Sequence, residues 1–225
     1  MSTAIITGAS RGLGLALARA LDERDWRLVL DARGAEALDA ATRELSNAVA
    51  LPGDVADAAH RSALVALAGP QLDLLVNNAS VLGPSPQPEL ADYPLDVLEQ
   101  VYRVNTLAPL ALTQLALPHI PDGGVIVNVT SDAGIEAYDG WGGYGSSKAA
   151  FEQWTAILGV ERPNLRIYAV DPGDMRTQLH QEAFPGEDIS DRPLPEESVP
   201  ALLRLVDGEL QSGRYRAHDL APVSA

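Results

Sequence analysis

A chain of 225 residues, 46% hydrophobic and 21% charged, is long enough to bury one sizeable core. Its formal net charge of −15 repels phosphate backbones and acidic bilayers, which speaks against nucleic-acid and membrane partners. The absence of cysteine excludes disulfides, thiol nucleophiles and thiolate metal sites. No apolar run reaches the roughly 18 residues of a membrane span and the start shows no signal pattern, so a cytoplasmic protein without a metal is expected.

Short runs rich in Val, Ile and Leu predict strands over 4–7, 27–30, 48–51, 72–76, 125–130, 166–170 and, more weakly, 214–217. They do not alternate with polar residues, as expected of strands buried on both faces. Helical periodicity fills the intervals at 12–24, 35–46, 57–68, 95–118, 143–161 and 196–207. This order predicts an α/β protein: one Rossmann-type, doubly wound parallel sheet spanning 1–225, with helices on both faces. Two long Pro-containing loops, 81–94 and 171–195, are expected to serve the substrate.

The first chemical signal is Thr7-Gly8-Ala9-Ser10-Arg11-Gly12-Leu13-Gly14, between the first strand and the first helix. Glycines at such a turn let the backbone approach a pyrophosphate at the positive helix N-terminus. Gly8, Ser10, Arg11, Gly12, Leu13 and Gly14 are therefore candidate cofactor contacts. The position that usually carries an acidic ribose ligand, about 20 residues further on, falls on Ala32 and is followed by Arg33. Arg11 and Arg33 together suit a 2′-phosphate and favour NADP(H). A register shift of one residue would instead present Asp31 to a ribose hydroxyl and favour NAD(H).

The second signal is Tyr144 and Lys148, four residues apart on one helical face. Lys148 is the single lysine among 16 basic residues. A tyrosine of pKa about 10 needs a nearby cation to act as acid or base near neutrality. Ser131, at the end of the fifth strand, offers a hydroxyl to a carbonyl oxygen on which charge develops. Asn105 offers an anchor for a water leading to Lys148.

These motifs occur in an order that resembles the short-chain dehydrogenase/reductase family over nearly the whole chain. The series is Thr7 to Gly14, Asp54-Val55, Asn77-Asn78-Ala79-Ser80, Asn105, Ser131, Tyr144-Gly-Ser-Ser-Lys148 and Asp171-Pro172-Gly173. The resemblance implies a strand order of 3-2-1-4-5-6-7. It also implies that Asp54 and Val55 meet the adenine, and that Asn77 and Ala79 brace the sheet and line the cleft. Tyr144 would be the acid/base, Lys148 its modulator and ribose ligand, Ser131 the carbonyl partner and Asn105 the water holder. Pro172, Gly173 and Thr177 would meet the nicotinamide. The implied activity is NADPH-dependent reduction of a ketone or aldehyde to an alcohol. The alternatives are an NAD-linked alcohol dehydrogenase and a non-catalytic NADP(H)-binding sensor.

Departures from the family pattern are Ser80 for glycine, Asp171 for asparagine and a short polar tail after Gly213-Arg214-Tyr215-Arg216-Ala217. Many members of the family carry a longer glycine-rich last strand that packs tetramers, so the comparison argues against a tetramer. The resemblance implies instead a homodimer through the apolar stretch 107–120 and the Tyr-Lys helix. Val81, Leu82, Ile135, Tyr138, Trp141, Met175, Leu179, His180 and Phe184 are the expected pocket residues. They are mostly apolar and suit a hydrophobic small-molecule carbonyl or alcohol substrate. His180 is expected at the surface without a partner, and Arg176 near the cofactor or a substrate carboxylate.

Overall fold

Seven parallel strands form one sheet in the order β3-β2-β1-β4-β5-β6-β7. They are β1 (Thr3–Ile6), β2 (Arg27–Ala32), β3 (Ala48–Pro52), β4 (Leu74–Asn77), β5 (Val125–Val129), β6 (Arg166–Asp171) and β7 (Gly213–Arg216). The computed structural model describes residues 1–208 and 210–220. The end of the polar tail, 221–225, lies outside the described residues.

Every residue of β1, β4 and β5 is buried, whereas β3 and β7 are more open. Successive residues of a strand feed opposite faces. On one face Ile6, Leu30, Val76, Val127 and Tyr168 pack with Leu17 and Leu21 of α1 (Gly12–Asp22). Leu202 and Leu205 of a later helix complete this layer. On the other face Ile5, Val29, Leu75, Ile126 and Ile167 meet Leu64, Leu112 and Leu158. A helix between β2 and β3 is α2 (Ala35–Thr42) and the one after β3 is α3 (Ala58–Ala68).

A buried polar chain ties the second face to the sheet centre. Asn77 Nδ2 donates to Asn128 Oδ1 (2.8 Å) and Thr113 Oγ1 (3.1 Å), and Asn128 Nδ2 donates to Thr155 Oγ1 (2.8 Å). Asn77 thus braces β4 against β5 and the helices behind them.

The helix expected over 95–118 is not continuous. It comprises α4 (Leu95–Tyr102), a π turn at Arg103–Leu107 and α5 (Ala108–Ala116). The apolar pattern runs through the break, but Asn105 inside the turn is bound to a distant loop. Its Oδ1 accepts from the Val81 N–H (2.9 Å), and its Nδ2 donates to Val81 O (2.8 Å) and Ser147 Oγ (3.1 Å). The next helix, α6 (Gly142–Glu161), carries the Tyr-Lys pair. The loop after β6 is not wholly irregular either, since α7 (Gln178–Ala183) forms there, capped by the Thr177 hydroxyl. The helix expected over 196–207 begins as a 3₁₀ turn, Pro195–Ser198, and continues as α8 (Val199–Asp207). A final short helix, α9 (Ala217–Leu220), follows β7.

Candidate active site

The strand order reverses between β1 and β4, so the loops at their carboxyl ends part to form a crevice. A cavity of about 710 Å³ runs from Gly8 and Arg33 past Ser131, Tyr144 and Lys148 to Leu179 and His180. It is large enough for an extended cofactor together with a small molecule.

The glycine turn shapes one end. Gly8 has φ +66° and a Cβ there would stand 2.9 Å from Ala79 Cα. A Cβ on Gly14 would come within 2.6 Å of Gly8 O and 2.7 Å of Asn78 Nδ2. No side chain caps α1 at Arg11, which leaves the first-turn N–H groups for an external anion. Gly8, Ser10, Gly12 and Leu13 line the cavity there, and this uncapped cradle fits the pyrophosphate of a dinucleotide. Val55 and Ala79 line the middle, while Asp54 turns its carboxylate onto the Ala56 N–H (2.8 Å).

The two arginines part company. Arg33 is exposed on the cavity rim and has no ion-pair partner among the described residues. Arg11 instead hydrogen-bonds Gln178 Oε1, tying the glycine turn to α7. Asp31 is only 1% exposed and its carboxylate accepts from the Gly8 N–H (2.9 Å).

At the other end Tyr144 and Lys148 are both buried. Lys148 Nζ donates to Val129 O at 2.8 Å and lies 5.5 Å from the centre of the Tyr144 ring. Burial pushes the Lys148 ammonium down to about 7, partly countered by the Glu152 carboxylate. Burial also raises the Tyr144 phenol. The nearby Ser80 hydroxyl opposes that rise; Asp171 and Asp132 add to it, and the Ser131 hydroxyl again opposes it. The sequence led us to expect a phenol lowered by Lys148. The protein alone does the opposite, because burial of the phenol, with the nearby Asp171 and Asp132 carboxylates, outweighs the factors that lower it.

Ser131 caps a 3₁₀ turn, Asp132–Gly134: its Oγ accepts from the Ala133 N–H (3.2 Å) and donates to Asp132 Oδ1 (2.9 Å). The Asn105 side-chain amide is engaged with Val81 and Ser147 and braces the loop after β4. Ser80 Oγ donates to Asn105 Oδ1 at 3.2 Å, a contact the family's glycine would not supply.

Val81, Leu82, Trp141, Met175, Leu179 and His180 line the cavity. Phe184 backs them, its ring 5.9 Å from Trp141 and 4.9 Å from His180. Ile135 and Tyr138 do not belong to it: both are exposed, and the Tyr138 hydroxyl donates to Asp132 and Glu136 carboxylates. His180 is not a surface residue; its side chain is 10% exposed and faces Asp174 at 3.7 Å. Arg176 lines the cavity, and its guanidinium donates to the Ser190 carbonyl. Thr177 packs its methyl beside Gly12, while Pro172 and Gly173 line the cavity between these ends.

Three residues escaped sequence reasoning. Arg214 of β7 donates to both oxygens of Glu152 (3.1 Å each) and to Asp171 Oδ2 (3.2 Å), and lies 3.4 Å from Ser131 O. It explains why an acidic residue is tolerated at 171: the carboxylate has a cation of its own. Breaking a fully buried pair costs about 3–5 kcal/mol. The Arg214 side chain is 24% exposed, so Arg214→Met is expected to cost about 2 kcal/mol, read by urea unfolding. His60 and Glu152 are the other two, and neither carries a local motif.

A model of the short chain dehydrogenase family matches residues 2–188. The chain belongs to the short-chain dehydrogenase family. Among relatives of this family, the short chain dehydrogenase asqE of Emericella nidulans is 35% identical over 173 residues, 71% of this chain and 64% of that one. The chain therefore spans less than two thirds of that relative. The 2-(R)-hydroxypropyl-CoM dehydrogenase of Xanthobacter autotrophicus is 32% identical over 219 residues, covering 91% of this chain and 88% of the relative. Among solved structures, a short chain dehydrogenase from Shigella flexneri complexed with NADP superposes with a TM-score of 0.87 at 26% identity. That superposition covers 96% of this chain and 97% of the other. Among the described residues no helix is long and apolar enough to cross a membrane, and no group of three or more His, Asp or Glu residues is placed to hold a metal ion.

Proposed function

We propose that the protein reduces a ketone or aldehyde of a hydrophobic small molecule to an alcohol, with NADPH as reductant. The observation that carries this reading is a buried Tyr144 phenol beside Lys148, at the junction of the uncapped glycine cradle and the apolar pocket. The relative named above as a dehydrogenase and the neighbour complexed with NADP support it.

Gly8, Ser10, Arg11, Gly12, Leu13 and Gly14 would hold the pyrophosphate, with Arg33 at the 2′-phosphate and Asp54 and Val55 at the adenine. Ala79 would shape the middle of the cleft, with Asn77 bracing β4 behind it and not lining the cavity; Lys148 would meet the ribose, and Pro172, Gly173 and Thr177 the nicotinamide. A bound reduced nicotinamide supplies a hydride. The chain supplies the rest: Ser131 Oγ turns from Asp132 to donate to the substrate carbonyl oxygen, and Tyr144 Oη gives that oxygen its proton. Leu82, Trp141 and Leu179 exclude water from the reacting carbon. Lys148, poised near neutrality, restores charge balance as the phenolate forms.

The pH dependence follows from the direction of the Tyr144 shift. An acid acts in its protonated form, present below its pKa, so carbonyl reduction is expected to be sustained towards low pH. The reverse reaction needs the phenolate and is expected to climb through the alkaline range. Initial rates in both directions over a pH series test the assignment; alcohol oxidation that falls as pH rises would refute it.

A homodimer accompanies this reading. Leu107 and Leu115, with Ile157 and Val160 of α6, are exposed apolar side chains on the elements that the family resemblance implies for dimerisation.

A further inference from the structure

Asp31 has a position and a charge that suit a ribose ligand, but the fold has already engaged it. It is the penultimate residue of β2, and its two carboxylate oxygens have separate partners. Oδ1 accepts from the Gly8 N–H at 2.9 Å and Oδ2 lies 2.9 Å from His60 Nε2. The His60 side chain is 7% exposed and that of Asp31 2%. The imidazole fits because residue 53 is glycine: a Cβ there would stand 2.3 Å from His60 Nδ1. The Asp31 carbonyl is also engaged, accepting from the Ala9 N–H at 2.8 Å. Asp31 lines the cavity, yet with both its oxygens engaged the tip of β2 offers a ligand the Ala32 side chain, which cannot bond a hydroxyl, and the exposed Arg33.

We propose that His60 is a specificity-determining residue for the nucleotide, acting by holding Asp31 against the glycine turn and away from the ribose. The proposal rests on the dinucleotide reading of the cleft and deepens it. Discrimination against NADH then comes from removal of an acidic ligand as well as from the presence of Arg33. The role is one of positioning, since His60 acts through Asp31. An imidazole is well suited to it: a planar ring fills the space beside Gly53 while one nitrogen meets the carboxylate.

The test is equilibrium binding of NADPH and NADH, read by nicotinamide fluorescence, on the full chain and three variants. His60→Ala releases Oδ2 and is expected to shift the NADPH-over-NADH preference towards NADH by about tenfold, the worth of one hydrogen bond to a charged group. His60→Gln keeps a donor near the carboxylate and is expected to retain most of the original preference. Asp31→Asn removes the charge without opening space, and is expected to leave NADH affinity within about twofold while tightening NADPH. An Asp31→Asn variant that loses NADH affinity tenfold would show Asp31 to be a ribose ligand and overturn the proposal. So would an unchanged preference in His60→Ala. Failure of the unaltered protein to bind either dinucleotide would instead overturn the cofactor reading itself.

Discussion

Tyr144→Phe is expected to lower turnover of any accepted ketone by about a thousandfold, the usual worth of a positioned proton donor. Affinity for NADPH is expected to stay within about threefold. The phenol ring packs edge-on against Trp141, with centroids 5.8 Å apart, and phenylalanine preserves that contact. Only the phenol hydroxyl is lost. The fold should therefore hold and the pocket keep its shape, which makes the loss chemical. Steady-state turnover and fluorescence titration on the same preparation separate the two effects. Retained turnover would mean that the proton comes from elsewhere.

The second large effect concerns Arg33. Arg33→Asp is expected to weaken NADPH binding by about a hundredfold, because a charge-assisted bond to the 2′-phosphate is replaced by repulsion. NADH affinity should change little, since a hydroxyl makes smaller demands on a guanidinium. An equal loss for both dinucleotides would place Arg33 away from the 2′ position. Arg11 is a weaker choice for this experiment, because its bond to Gln178 couples it to α7.

The sheet was legible because its strands are short, apolar and buried on both faces. The runs expected at 4–7 and 214–217 correspond to β1 (Thr3–Ile6) and β7 (Gly213–Arg216), displaced by one residue. The glycine turn was legible for the same local reason: a strand, a turn and a helix are contiguous in the chain. What the sequence hid depends on side chains meeting across long separations. The break in the helix at Arg103–Leu107 follows from Asn105 binding Val81, 24 residues away. Arg214 meets Asp171 across 43 residues and Glu152 across 62. Whether Asp31 faced a ribose or the protein could not be decided from β2 alone, because His60 lies on α3, 29 residues on. Ile135 and Tyr138 looked like pocket residues by hydropathy and position, yet the turn after Ser131 carries them outward. Carboxylates at Asp132 and Glu136 hold the Tyr138 hydroxyl there.

The departures from the family pattern form connected substitutions. Asp171 comes with Arg214, which neutralises it, and Ser80 comes with a hydroxyl that donates to Asn105. Both changes lie within the constellation around the phenol. They alter its electrostatic surroundings without displacing Ser131, Tyr144 or Lys148 from the cavity wall.

The most direct test of carbonyl reduction is a single experiment on the purified protein. NADPH is titrated in while its fluorescence is followed, and a series of hydrophobic ketones and aldehydes is then added to the complex. The account predicts a saturable rise in nicotinamide fluorescence, followed by its loss as one alcohol forms for each NADPH consumed. A protein that shows no NADPH binding, or whose bound NADPH persists unchanged through the whole series, would contradict it.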